Sequence, residues 1–360
     1  MDPDFLIFTP GPVKMPEIVL AEGAKQLPYF RTKQFSKIIT ECNRMLKKSV
    51  NAPSGSECVF LSASGTGAMD AVIANLFGKT DSVLTINSGT FGKRFCEILD
   101  FYSIKNEEIL VKSGSSITYD HLCSVPVRTK TALLINGHET STGALHDIKM
   151  VGEICHKNKL LYIVDAISMY LADSIDMQKQ NIDVLILSSQ KGLALPPGLS
   201  IVILSKSAQN LLQSVNLRSY YFDFNKYLSN LIAGQTPFTP PISIILQLYK
   251  RLIQIDEMGG ADELIKNTEM VANYFRDNIK GLPLKIYAEH PSNALTALTP
   301  LDNKNAKEIV LDFERLYNIY LCPNGGNLEK TVFRVSHLGD INIPYTEKLI
   351  EKMKLYYRIS

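Results

Sequence analysis

Between residues 57 and 204, short apolar runs alternate with helical patterns, and run after run ends in small or polar residues. Residues 58–61 lead into Ser62-Ala63-Ser64-Gly65-Thr66-Gly67, and a helical pattern follows over 68–77. Residues 82–86 lead into Asn87-Ser88-Gly89-Thr90 and a helix over 91–101. A further strand is expected at 108–111, then a helix or loop at 119–125. Residues 131–135 end in Asn136-Gly137-His138-Glu139-Thr140-Ser141-Thr142-Gly143, before a helix over 148–157. Residues 160–164 end at Asp165, and 182–187 end at Ser188-Ser189-Gln190-Lys191, with 199–204 beside them. Strands alternating with helices predict an α/β fold, a mostly parallel sheet with helices on both faces. Ligands of such sheets bind at the carboxyl ends of the strands. Five polar clusters, at 64–66, 87–91, 138–142, 165 and 190–191, are expected to converge on that one edge.

The flanks are less regular. Thr9-Pro10-Gly11-Pro12-Val13 is a rigid turn, and helices are expected over 16–26 and 35–50. Beyond Lys206 the aromatic stretch Tyr220-Tyr221-Phe222-Asp223-Phe224 predicts packing contacts rather than a binding box. The prolines of 234–241 exclude helix and inner strand there. A long helix over 242–258 stops at Gly259-Gly260, and a second, over 262–279, leads into a smaller α+β unit. That unit has strands at 284–287, 294–298 and 331–336, helices at 305–316 and 345–357, and a turn at Cys322-Pro323-Asn324-Gly325-Gly326. The expected division is a large domain over 1–260 and a smaller one over 261–360. About the first 25 residues join the small domain or the interface.

Composition excludes several functions. A net charge of +2 on 360 residues leaves no electrostatic footprint for nucleic acid or an acidic membrane. The six cysteines, at 42, 58, 96, 123, 155 and 322, form no Cys-x-x-Cys pair, so neither a disulfide framework nor a zinc site is expected. His138 and His146 lack partners at ligand spacing and are read as structural. No signal peptide or membrane span is visible, which predicts a soluble cytoplasmic protein.

An isolated lysine at a strand end is ordinarily solvated, but Lys191 does not stand alone. A desolvated lysine is a Schiff-base nucleophile. The set suits a cofactor with an aldehyde, a phosphate and a pyridine nitrogen. Lys191 would take the aldehyde, and Asp165, 26 residues earlier, would pair with the ring nitrogen. Ser64, Gly65, Thr66 and Gln190 would hold the phosphate at a helix N-terminus. Phe91 would stack on the ring, and Thr140 would reach the ring oxygen or the substrate. The freed lysine would move a proton at the substrate α-carbon. Arg334, one of ten arginines, offers a planar fork for a carboxylate or phosphonate.

In order and spacing these segments resemble the class V aminotransferases of pyridoxal phosphate fold type I, in the alanine/serine–glyoxylate/pyruvate aminotransferase group. The resemblance covers nearly the whole chain. It rests on Thr9-Pro-Gly-Pro, Arg31-Thr-Lys-Gln-Phe-Ser, Ser64-Gly-Thr-Gly-Ala-Met, Asn87-Ser-Gly-Thr-Phe-Gly and His138-Glu-Thr-Ser-Thr-Gly. Val164-Asp-Ala, Ser189-Gln-Lys, Pro196-Pro-Gly, Gly234-Gln-Thr-Pro-Phe-Thr-Pro and Phe333-Arg-Val-Ser-His-Leu-Gly complete it. It implies a seven-stranded-type sheet and pyridoxal 5'-phosphate on Lys191, with Asp165 as its pyridine partner. It further implies Ile167 on the ring face opposite Phe91, and Arg334 binding the substrate carboxylate with Gly11 lining the pocket. Thr239 would reach a neighbour's phosphate across a homodimer interface.

The implied reaction moves an amino group from a small donor, alanine or serine, to glyoxylate or pyruvate. The related 2-aminoethylphosphonate–pyruvate aminotransferases are the alternative. Two departures bear on the substrate. Phe91 stands where the family often has tryptophan. Ser168-Met169-Tyr170-Leu171-Ala172 replaces a small-residue segment, which predicts larger side chains near the site. A desulfurase-type lyase is disfavoured because Gln190, not histidine, precedes Lys191 and no cysteine is evident in a loop facing the site.

Overall fold

A computed structural model describes residues 5–213 and 215–358. Its central sheet has seven strands, in the order Glu57–Leu61, Ser200–Leu204, Val184–Ser188, Leu161–Asp165, Ala132–Asn136, Ser82–Asn87 and Lys105–Leu110. Ser200–Leu204 runs antiparallel to both its neighbours, and every other adjacent pair is parallel. The α/β class and the mostly parallel sheet read from the sequence are thereby borne out.

The sheet is covered on both faces because its strands are apolar at odd and even positions alike. Leu133, Ile135, Tyr162, Val164, Leu185 and Leu187 pack on one side, beneath helices Lys33–Ser49, Ile148–Asn158 and Ile242–Glu257. Ala132, Leu134, Ile163, Val184 and Ile186 pack on the other, against helices Gly65–Leu76, Thr90–Phe101 and Phe224–Leu231. Each fully buried Leu, Ile or Val contributes roughly 1.5–3 kcal/mol. Continuing this alternation, Asp165 falls on the side of the Gly65–Leu76 helix.

A second, antiparallel sheet orders Leu284–Ile286, Leu295–Pro300, Phe333–Ser336 and Cys322–Pro323. Helices Ala261–Asn278, Ala306–Tyr317 and Ile343–Tyr356 cover it through Phe275, Phe313, Leu349 and Met353. Residues 6–8 lie against this unit. Leu6–Ile7 pairs with Ile319–Tyr320, and Ser336 N–H donates to the Phe8 carbonyl at 2.8 Å. The segment then crosses toward Lys191.

Several expected boundaries move. The strand expected at 108–111 is Lys105–Leu110, an edge strand whose Lys-Asn-Glu-Glu start hides it from an apolar-run search. The 322–326 turn contributes a strand pair, with Cys322 opposite Arg334. Helices Lys206–Leu211 and Phe224–Leu231 escape the sequence reading. The aromatic stretch before the second is divided, since Phe224 is buried whereas Tyr220 is 77% exposed.

Candidate active site

Lys191 follows directly from the strand Val184–Ser188, in a turn closed by Ala194 N–H donating to the Lys191 carbonyl at 2.8 Å. Burial pushes its amine down to about 8, and the Arg334 guanidinium adds to that shift, against the opposing pull of Cys322 and Asp165. The N-terminal segment passes close by. A methyl group added at Gly11 would lie 2.7 Å from Lys191 Cδ and 3.0 Å from its Nζ.

Asp165 ends the neighbouring strand. Its carboxylate accepts from Ile167 N–H at 2.8 Å and from Asn136 Nδ2. Burial raises it to about 6, against the pull of those two donors. The Asn136 Oδ1 atom is buried and unbonded. Ser64 caps the helix Gly65–Leu76, accepting from Gly67 N–H at 3.3 Å. A helix N-terminus leaves amides free for an anion. The Ile167 side chain lies against this turn, 2.4 Å from where a Gly65 methyl would stand. Thr66 Oγ1 accepts from Arg94 Nη1 at 3.0 Å, and the Arg94 guanidinium sits 4.8 Å from the Phe91 ring centre. Gln190 Oε1 accepts from Ser188 Oγ at 2.6 Å.

Thr140 shares a 2.7 Å hydrogen bond with Ser168 Oγ. Arg334 Nη1 donates to the Thr140 carbonyl at 3.1 Å and Nη2 to the Pro323 carbonyl, while its buried Nε is unbonded. The small sheet therefore delivers a guanidinium to the strand-end edge of the large one. Thr239 lies exposed on the loop before Ile242–Glu257. No hydrogen bond among the described residues ties it to the other predicted site residues.

Two expectations about the pocket change. Met169 and Tyr170 do not crowd it. Both are buried in the large core, where the Met169 sulfur packs on Gly137 and Tyr170 hydroxyl meets Ser49 Oγ at 2.6 Å. Only Ser168 of that segment turns toward Thr140, because the chain coils into tight turns after Asp165. And a cysteine does face the site. Cys322 stands opposite Arg334 across the strand pair and interacts electrostatically with Lys191. Burial raises its thiol, and the two cations oppose that rise.

The histidines divide as well. His146 bonds Ser88 Oγ at 2.7 Å and Ile117 N–H at 3.1 Å, and burial pushes it down to about 4. His138 is pushed down to about 3 by burial and by Lys191, with both ring nitrogens unbonded. Residues that sequence reasoning passed over include Glu139, Ser168, Arg94 and Asn324. Glu139 alone carried a signal, an acid inside a strand-end motif.

These residues fit a group with an aldehyde, a phosphate and a ring nitrogen. The fit rests on a buried carboxylate supported by the Ile167 and Asn136 amides, an amine lowered toward neutrality, and a helix N-terminus packed against Ile167. A mostly parallel α/β fold with its ligand edge at the strand ends where Asp165 and Lys191 stand is the class that these observations define. Comparison with known proteins narrows it. Residues 24–310 match the family Aminotransferase class-V. A protein named soluble hydrogenase, small subunit, from Synechococcus sp. is 30% identical over 93% of this chain and 88% of its own. The Mus musculus alanine–glyoxylate aminotransferase is 28% identical over 94% of this chain and 83% of its own. An alanine–glyoxylate aminotransferase structure from Nostoc sp. superposes with a TM-score of 0.93 at 23% identity, covering 99% of this chain and 96% of that one. The chain belongs to the class V aminotransferases and is a transaminase. That family works through pyridoxal 5'-phosphate. Among the described residues no helix is long and apolar enough to cross a membrane.

Proposed function

We propose that the protein transfers an amino group from a small donor, of the alanine or serine type, to glyoxylate or pyruvate, with pyridoxal 5'-phosphate held on Lys191. The carrying observation is that Lys191 stands just past a strand end, half-buried, with Asp165 ending the neighbouring strand and Gly11 packed against its side chain, in a chain whose residues 24–310 match the class V aminotransferases. When bound, the cofactor supplies an electron-accepting ring that eases loss of a proton from the substrate α-carbon. Lys191 Nζ would hold the aldehyde and, once freed, would carry a proton at the substrate α-carbon. Asp165 would pair with the ring nitrogen, and its buried carboxylate would favour the protonated ring. Ser64, Gly65, Thr66 and Gln190 would hold the phosphate. Phe91 and Ile167 would confine the ring, and Thr140 would contact the ring oxygen or the substrate. Arg334 binds the substrate carboxylate, with Gly11 closing the pocket and excluding water.

The same proposal takes the working unit as a cytoplasmic homodimer in which Thr239 completes the neighbour's phosphate site. Exposed Tyr220 and Ile232 near that loop, 77% and 90% accessible, support a covered surface there. It also divides the chain at 260/261, with the Arg334 side delivered by the smaller part.

Visible absorbance of the protein with pyridoxal phosphate, titrated with L-alanine, L-serine and 2-aminoethylphosphonate, tests this reading. Bleaching by alanine or serine supports it. Bleaching by the aminophosphonate alone selects that alternative, since the Arg334 fork suits either anion. Cys322 earns a fourth arm with L-cysteine. Sulfide release there would indicate lyase chemistry. Absence of any cofactor band overturns the assignment of Lys191.

A further inference from the structure

Glu139 is fully buried at the edge that carries Lys191, and the reaction outlined above gives it no task. It lies on the hairpin strand His138–Glu139, paired with Ala144–Leu145. Five hydrogen bonds reach its carboxylate, all donated by N–H or O–H groups. Oε2 accepts from the amides of Phe91 and Gly92, each at 3.1 Å. Oε1 accepts from Phe91 N–H at 3.4 Å, Ser141 N–H at 3.1 Å and Ser141 Oγ at 2.5 Å. The helix Thr90–Phe101 begins at Gly89, which has no side chain to cap it. A carboxylate from a distant hairpin fills that place.

What it ties together is specific. The capped turn carries Phe91 and then Arg94, which reaches Thr66. The carbonyls after Glu139 reach the smaller sheet. The Thr140 carbonyl holds Arg334, and the Ser141 carbonyl accepts from Asn324 Nδ2 at 2.7 Å. One carboxylate thus fastens the ring-stacking turn to the segment that carries the substrate clamp.

We propose that Glu139 is a positioning residue for transamination: it locks the Phe91 turn onto the 139–141 segment, so that the cofactor-ring face and Arg334 keep one fixed spacing. The inference rests on the proposed function. Small misplacements of reacting groups cost large factors in rate. A plain cap, by contrast, affects stability alone.

The two roles separate by experiment. In E139Q an amide NH₂ replaces one oxygen and meets donors wherever it turns. Its cofactor dissociation constant, from absorbance titration, is expected to rise at least tenfold. The visible circular dichroism of the bound cofactor is expected to fall, and the KM for the amino donor to rise. Asn342→Ala, which removes the cap accepting from Tyr345 N–H at 2.9 Å on helix Ile343–Tyr356, serves as the stability control. It should lower Tm and leave those readouts unchanged. E139D keeps the carboxylate but shortens its reach, and intermediate values are expected. Wild-type affinity and dichroism in E139Q, at whatever Tm, overturn the proposal. Should E139Q fail to fold, wild-type values in E139D do so. Failure of the unaltered protein to take up cofactor would instead defeat the proposed function, whereas an intact wild-type band with an unaffected E139Q defeats only the role of Glu139.

Discussion

The two edges of the central sheet treat charge in opposite ways. At the amino-end edge a cleft of about 1080 Å³ opens beside Lys130, His156, Lys159, Asp183 and Lys206. Two of its groups have partners close by. Asp183 accepts from Tyr162 N–H at 3.0 Å and Ser205 Oγ at 3.1 Å, and Lys130 pairs with Glu107. At the carboxyl-end edge two facing groups are displaced from their ordinary values by desolvation. Asp165 rises to about 6 and Lys191 falls to about 8. Cleft volume therefore says little here, whereas desolvated acid and base groups mark the chemistry. The first edge contributes stability. The second leaves Asn136 Oδ1, both His138 ring nitrogens and Arg334 Nε buried without a hydrogen-bond partner among the described residues.

The largest break in that contrast is expected from Lys191→Ala. Turnover should fall by roughly 10⁴-fold and the cofactor band should vanish, because attachment and proton transfer are lost together. Turnover near wild type in a steady-state assay would refute the edge as the reaction site. Asp165→Asn removes the group that keeps a proton on the ring. A loss of roughly 100-fold in kcat is expected, with cofactor still bound. Arg334→Leu should act on KM instead, raising it roughly 10- to 100-fold, the worth of a charge-assisted hydrogen bond. An unchanged KM would show that the carboxylate binds elsewhere.

Titration sharpens the comparison. A lysine at about 8 is roughly one-tenth neutral at pH 7. The rate of cofactor attachment should rise about tenfold per pH unit below about 8 and level above it, in a stopped-flow pH series. A rise continuing toward pH 10 would show an amine that is not desolvated. For Asp165 the folded value, about 6, lies above the 3.8 of an ordinary carboxyl. The cofactor-free folded state thus holds its proton longer than the unfolded chain does. The stability from this group is full below about pH 4 and lost as pH rises through about 6. Asp165→Asn should flatten that part of the slope in denaturant melts. Smallest is Ser205→Ala at the opposite edge, where loss of the cap to Ala208 N–H should cost about 1 kcal/mol of stability and no activity.

The legible parts share a cause. Strand ends could be read because apolar runs stop where the chain leaves the core, so Asp165 and Lys191 stood out at such stops. Ser64 stood out because a cap needs a hydroxyl beside small residues. Lys105–Leu110 did not, since an edge strand tolerates the charges that interrupt its pattern. Helix Phe224–Leu231 was hidden behind an aromatic stretch whose members separate into buried and exposed only in three dimensions.

By itself, then, the sequence determined the α/β alternation, the edge on which polar clusters gather, and the family, because periodicity and segment order are properties of the chain taken locally. Tertiary structure decided which side chains meet. Met169 and Tyr170 turn into the core, Cys322 comes to face Arg334, and Glu139 reaches across to the Phe91 turn. Those outcomes depend on how turns aim side chains and how two sheets dock. Contacts between residues 48 or 194 positions apart, such as Phe91 with Glu139 and Arg334 with Thr140, are set by packing, which no local pattern encodes.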